Sequence, residues 1–160
     1  MHESITKDLT IESQFINIIQ GIESYDRRKQ NVNELQNKIR HNLEYIYEQV
    51  ENKVIKIWLK EKLNYSYEPT LKERLLKYFT EYQNIIFNNP TTKQIENLAK
   101  TTKNTRNYYT HYDVSLISKI FSPDVMLRIN QVLRNLFIVI VLEELEIQKS
   151  LVEGNISEKL

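Results

Sequence analysis

The sequence predicts an all-α fold, a single helical bundle of about five helices. Gly and Pro, which punctuate hairpins and strands, number only two and three in 160 residues. Apolar residues recur at spacings of three and four, the period of a helix that buries one face. The length suits one domain with a real core. We therefore predict one domain over residues 1–160, with its core at about 10–148 and a flexible C-terminal tail from Gly154.

The first two helices are indicated by long apolar stripes. One stripe covers residues 11–25, and the candidates for the cap that starts it are Ser4, Thr6 and Thr10. The next covers residues 35–57, which is long for one helix but contains neither Gly nor Pro. It is expected to end near residues 64–66, because Pro69 forbids helical continuation across it.

Three further stripes complete the predicted bundle. Residues 71–86 follow Thr70, which forms a capping-box pattern with Glu73. Residues 95–99 lie in a fourth helix that follows an Asn-Asn-Pro turn. The last helix begins at Ser122-Pro123 and is apolar nearly all round from Leu136. Such a helix is expected to be buried on every side, either centrally or against a second subunit.

The composition indicates in which cellular compartment the protein works and which kinds of chemical site it lacks. There is no cysteine, which excludes disulfides and thiolate chemistry and fits a reducing compartment. The N-terminus carries no hydrophobic signal region. The longest apolar run is seven residues, whereas about 20 are needed to span a bilayer. We expect a soluble, cytoplasmic protein that does not associate with a membrane.

The net charge of +1 is unevenly distributed. Residues 53–106 contain eleven basic and five acidic residues, a net charge of +6, and residues 143–160 carry −3. A basic centre is compatible with a phosphate-bearing partner. On charge alone, a lysine-rich solvated face is the preferred explanation, so charge does not identify nucleic acid as the partner.

A cluster that combines basic, amide and aromatic side chains marks the candidate site. Arg106 and Asn107 precede His111, in a strip with three tyrosines, Tyr108, Tyr109 and Tyr112. A near-neutral histidine can transfer the proton when the 2′-hydroxyl of RNA attacks its phosphate. An arginine stabilises the developing phosphoryl charge. An asparagine can orient the histidine or hold the sugar, and tyrosines stack on unpaired bases. No metal-binding spacing accompanies His111, so we predict neither a metal nor another cofactor.

Spacing restricts this interpretation. Five residues turn an ideal helix by about 500°, so Arg106 and His111 point about 140° apart. They converge only if the helix ends or bends between them, or if a second subunit completes the site. Without further support, a surface ion pair of Arg106 and a helix-capping His111 explain the pattern equally well.

Residues 105–113, Thr-Arg-Asn-Tyr-Tyr-Thr-His-Tyr-Asp, resemble the hallmark of HEPN (higher eukaryotes and prokaryotes nucleotide-binding) domains. The form Arg-Asn-Tyr-x-Thr-His-Tyr-Asp is similar to the ApeA-like HEPN group of bacterial anti-phage proteins. Residues 15–25 resemble that group's first helix with its Gln-x-x-Glu-x-Tyr pattern, and residues 71–75 its next element. The closing apolar helix agrees, so the resemblance covers most of residues 10–147.

The resemblance implies a four-helix HEPN core and a metal-independent endoribonuclease that acts as a toxin or defence effector. Arg106, Asn107 and His111 would be the catalytic set, shared across a homodimer whose two motifs line one cleft. The products would be a 2′,3′-cyclic phosphate and a 5′-hydroxyl. Asp113 would orient His111 or pair with Arg106, and Gln20 or Glu23 would reach the site from the first helix.

Three functions are compatible with the sequence. The first is the dimeric ribonuclease, with RNA as substrate and a cognate antitoxin or regulatory protein as a further partner. The second is a non-catalytic module that dimerises through its last helix and binds a nucleotide or protein. The third is a helical bundle of unrelated role. The group usually carries a regulatory region ahead of the HEPN domain, and here only a short polar start precedes Thr10. We expect an excised domain or a regulator on another chain.

Overall fold

The computed structural model describes residues 9–29, 34–63, 66 and 68–147. It contains seven α-helices and one 3-10 helix, and no strand occurs among the described residues. The helices are α1 (Ile11–Lys29), α2 (Glu34–Gln49), α3 (Lys53–Leu63), α4 (Leu71–Glu81), α5 (Gln83–Ile86), α6 (Thr92–His111), the 3-10 helix η1 (Val114–Lys119) and α7 (Pro123–Glu144). The prediction of an all-α fold is confirmed.

Two of the predicted helices are each divided in the structure. The stripe at residues 35–57 becomes α2 and α3, because Asn52 caps a new helix: its Oδ1 accepts hydrogen bonds from the backbone N–H groups of Val54 (3.0 Å) and Ile55 (3.2 Å). The stripe at residues 71–86 becomes α4 and the short α5, separated at Tyr82. Predicting one helix for each stripe was therefore wrong.

The predicted helix boundaries agree better. Thr10 caps α1, since its Oγ1 accepts a hydrogen bond from the backbone N–H of Ser13 (3.2 Å). Helix α3 ends at Leu63, and α7 begins at Pro123 after Ser122. The alternative caps Ser4 and Thr6, and the predicted flexible tail from Gly154, lie outside the described residues.

Contacts divide the chain into two compact units. One contains residues up to Tyr25 and from Leu71, and the other is Asp26–Thr70. In the second unit, α2 and α3 pack on each other, and Lys60 Nζ lies 5.7 Å from the ring centre of Tyr47. Helix α3 has no buried residue, and Val54, Ile57 and Trp58 are more than half exposed. The prediction of one domain for the whole chain stays a prediction.

The first unit holds the hydrophobic core. Phe15, Ile19 and Ile22 of α1 are fully buried, together with residues of α4, α5, α6 and α7. Each Å² of apolar surface removed from water contributes about 25 cal/mol, so this shared core dominates the stability of the unit. Hydrogen bonds from the hydroxyl of Tyr25 to Glu144 (2.6 Å) and of Tyr82 to Glu143 fix the end of α7. Burial, followed by the bond to Glu143, raises the pKa of Tyr82 above its ordinary value.

Helix α7 is buried on one side and exposed on the other. Leu136, Val139 and Ile140 are buried in the core, whereas Ile138 is 45% and Val141 is 37% exposed. By length and composition it is also the one helix of the described chain that could cross a membrane. Half of its most apolar stretch is buried, as in the core helix of a soluble protein, and such a helix by itself does not indicate a membrane span. The expected burial on every side is not achieved within one chain.

A close approach between α1 and α7 requires a small residue on α1. A Cβ atom at Gly21 would lie 3.3 Å from Cζ of Phe137, which is tighter than an ordinary van der Waals contact. Gly21 has no positive φ, so its small size rather than its conformational freedom matters here.

Replacing Gly21 by Val is therefore expected to lower the free energy of unfolding by about 2 kcal/mol, because the added methyl groups overpack the contact with Phe137. The control is Asn17→Val, an exposed position one turn earlier on α1 where Asn and Val have similar helix propensity. Urea denaturation measures both. Equal stability of Gly21→Val and the wild type would show that α7 does not pack this closely.

Candidate functional site

Helix α6 carries the candidate site near its C-terminal end. The helix starts at a capping box, in which Thr91 Oγ1 accepts from the backbone N–H of Gln94 and the Gln94 side chain accepts from the backbone N–H of Thr91. It continues without interruption to His111 and ends at Tyr112, whose φ of 51° is left-handed. The helix therefore ends after the motif and not within it.

An uninterrupted helix keeps Arg106 and His111 on different faces. The five intervening steps turn the helix by about 500°, which leaves the two side chains about 140° apart. The first condition under which they could converge, a helix that ends between them, is excluded because α6 is continuous from Thr92 to His111. A second subunit offers another way to bring the two side chains together.

Arg106 and His111 also differ in burial, as expected for side chains on different faces of one helix. The Arg106 side chain is 22% exposed and faces α1, where its Nη2 lies 3.4 Å from Oε2 of Glu23. Its Nη1 donates to Oδ1 of Asn107 (3.3 Å), and its Nε is buried without a hydrogen-bond partner among the described residues. His111 is exposed, and no hydrogen bond or ion pair of its ring is found in the part of the chain that the structure describes.

Glu23 reaches the motif from α1. Its side chain is only 16% exposed, so its ion pair with Arg106 is more shielded from solvent than a surface pair. Gln20, the other residue expected to reach the site from α1, is exposed. Glu23 thus restricts the guanidinium of Arg106. The guanidinium has five N–H donors, so some of them stay available to an anion.

Asp113 has a local structural role. Its Oδ1 accepts from the backbone N–H of Ser115 (3.1 Å) and from the Ser115 hydroxyl (2.6 Å), which caps η1. Among the described residues, no contact joins this carboxylate to Arg106 or His111. The expectation that Asp113 orients His111 or pairs with Arg106 has no support in this geometry.

The three tyrosines of the motif occupy different environments. The rings of Tyr108 and Tyr109 meet edge to face with their centres 5.0 Å apart, and Tyr109 packs against the core. Burial, followed by the negative charge of Glu12, raises the pKa of Tyr109. Tyr112 is 81% exposed, so among the three its ring is the most open to stacking by an unpaired base.

Two hydrogen bonds of Thr105 were not foreseen from the sequence. Its buried hydroxyl donates to the backbone carbonyl oxygen of Thr101 (2.9 Å) and accepts from the backbone N–H of Phe121 (3.1 Å). The segment after η1 is thereby attached to α6 directly beside Arg106. No sequence pattern marks this link, since Thr105 and Phe121 are 16 residues apart.

Within the described residues, no group of three or more His, Asp or Glu side chains could hold a metal ion. The site therefore consists of one half-buried guanidinium beside an amide, and one exposed imidazole at the helix end. Such groups can bind a phosphate and transfer a proton.

The comparison with known proteins agrees with this all-α fold. The chain matches the family described as Apea-like HEPN over residues 16–151 and therefore belongs to that family. No curated protein and no solved structure matches the chain. HEPN domains are generally ribonucleases, so family membership indicates a nuclease or defence-related module.

A double-mutant cycle tests the contact between Glu23 and Arg106. Glu23→Gln and Arg106→Met are each expected to lower the free energy of unfolding, and their coupling energy should be about 1 kcal/mol, between the values for exposed and buried pairs. Urea denaturation of the two single variants and the double variant measures it. Additive effects, with no coupling, would contradict this ion pair.

Proposed function

We propose that this chain is a metal-independent endoribonuclease that works as a homodimer, with Arg106, Asn107 and His111 as its catalytic set. The observation that carries the proposal is the presence of all three side chains at one helix end of an Apea-like HEPN chain. The exposed imidazole of His111 is accessible to a substrate, and the Arg106 guanidinium is already held in place by Glu23.

The chemistry follows from these side chains. The 2′-hydroxyl of the substrate attacks the adjacent phosphorus, and the bond from phosphorus to the 5′-oxygen of the next nucleotide breaks. The products are a 2′,3′-cyclic phosphate and a 5′-hydroxyl. His111 takes the proton from the 2′-hydroxyl or gives one to the leaving 5′-oxygen, and water serves as the partner for the other of these two proton transfers. Arg106 stabilises the charge that develops on the phosphoryl oxygens, and the Asn107 amide holds the sugar or phosphate.

The dimer is part of the proposal, because one protomer does not bring Arg106 and His111 to the same face. HEPN domains commonly dimerise. Helix α7 offers a contact surface, since Leu127, Ile138 and Val141 are exposed and lie within about 60° of one another around its axis. Burying these side chains against a second copy removes apolar area from water.

The biological setting is proposed from the family alone. A ribonuclease of this kind fits a cytoplasmic toxin or anti-phage effector that is restrained by an antitoxin or regulatory protein. The second candidate, a non-catalytic dimerisation or binding module, is favoured by one observation: in a single chain, Arg106 is already engaged by Glu23. Structural and catalytic uses of Arg106 are compatible, so this observation does not exclude the ribonuclease.

His111→Ala is expected to reduce RNA cleavage at least a hundredfold, since a positioned general acid or base contributes about 10²–10⁴-fold. Purified protein is incubated with total RNA and tRNA in EDTA, and the cut ends are mapped. The matched control is His41→Ala, which removes an exposed histidine on α2 and should leave cleavage unchanged.

Because His111 is exposed, its replacement should not alter the unfolding midpoint, which separates a catalytic from a structural effect. Equal cleavage by the wild type and His111→Ala would contradict the catalytic assignment. Cleavage by the wild type that disappears in EDTA would contradict the metal-independent mechanism.

A further inference from the structure

A cavity of roughly 350 Å³ lies beside the N-terminal half of α6, away from the motif. It is bounded by the segment that follows α5, by one face of α6 and by the segment that follows η1. Its size is at the lower end of the range of small-molecule sites in proteins. All of its lining residues belong to the first unit.

The lining combines aromatic rings and the aliphatic side chains of Pro90, Ile95 and Leu98 with uncharged polar groups. Phe87 and Phe121 contribute the rings, and Asn88, Asn97 and Thr101 contribute amide and hydroxyl groups. No charged side chain lines the cavity. Asn88 and Asn97 are exposed, and neither amide has a hydrogen-bond partner in the described part of the chain. These groups are thus available to a ligand.

This set of groups matches one class of ligand. A flat, neutral heterocycle with alternating donors and acceptors along its edge can pack against phenyl rings while amides read that edge. A phosphate or another charged group finds no counter-ion among the lining residues. A purely aliphatic ligand would leave the amides unused.

We propose that this cavity binds a single unpaired nucleobase, with Asn97 hydrogen-bonded to its edge and Phe121 packed against it. The base can belong to an RNA strand or to a free nucleoside. The RNA source rests on the proposed function, because the strand would be the substrate of the ribonuclease. The free nucleoside does not depend on it.

The cavity is connected to the motif through Thr105. Thr101 and Phe121 line the cavity, and the Thr105 hydroxyl bonds to the backbone of both. Along the helix axis, Thr101 lies about 7.5 Å from Arg106 and about 15 Å from His111. A base in the cavity therefore contacts two segments that are joined through Thr105, the residue that precedes Arg106.

The test measures binding without cleavage. Calorimetric titration of the full chain uses adenosine, guanosine, cytidine and uridine, and 2′-O-methyl octamers of each base, which lack the attacking hydroxyl. Asn97→Leu removes the amide at similar volume and should weaken binding about tenfold. The control Glu96→Gln changes the neighbouring exposed residue outside the cavity and should leave affinity within about twofold.

The two sources give different results, and each supports the site. If a nucleoside binds and its binding depends on Asn97, a free nucleoside is sufficient to occupy the cavity. Octamer binding that depends on Asn97, without nucleoside binding, identifies an RNA strand. The proposal is overturned if no nucleoside or octamer binds at millimolar concentration, or if Asn97→Leu and Phe121→Leu both bind like the wild type. Because no arm requires cleavage, an inactive wild type would refute the ribonuclease and leave this result standing.

Discussion

The position of Arg106 and His111 on one uninterrupted helix limits how the proposed site can be assembled. Because α6 continues to His111, the two side chains lie on different faces, one directed at α1 and one at solvent. The proposed reaction assigns the phosphate to one of these faces and the proton transfer to the other. Joining both actions at a single phosphate calls for a second copy, which ties the proposed chemistry to assembly.

The buried side of α6 explains how the arginine is held. Thr105 is fully buried and bonded to the backbone on both sides, and Arg106 beside it reaches Glu23. Glu23 belongs to the same helix that contributes Phe15 and Ile22 to the core, so the packing of α1 fixes the position of the carboxylate. The core and the site are therefore coupled: a change that shifts α1 also moves the partner of the guanidinium.

Much of this arrangement could be predicted from the sequence, because helical periodicity and capping residues are local signals. These signals predicted the all-α class, the start of α1 at Thr10 and the start of α7 at Pro123. The motif at residues 105–113 indicated the family. The break at Asn52 was missed, since an asparagine within a continuous apolar stripe marks a cap only when the backbone turns there. The link from Thr105 to Phe121 joins distant residues and depends on tertiary packing, which periodicity does not report.

Mixing two inactive variants tests the shared site most directly. Arg106→Lys keeps the charge but loses the fork of donors, and His111→Ala loses the imidazole. After subunit exchange, half of the dimers are mixed, and each contains one intact arginine from one protomer facing one intact histidine from the other. If the site is shared between subunits, the mixture recovers about a quarter of wild-type RNA cleavage, while each variant alone stays inactive. A mixture no more active than its components, with exchange verified by mass spectrometry, would contradict a site built across two subunits.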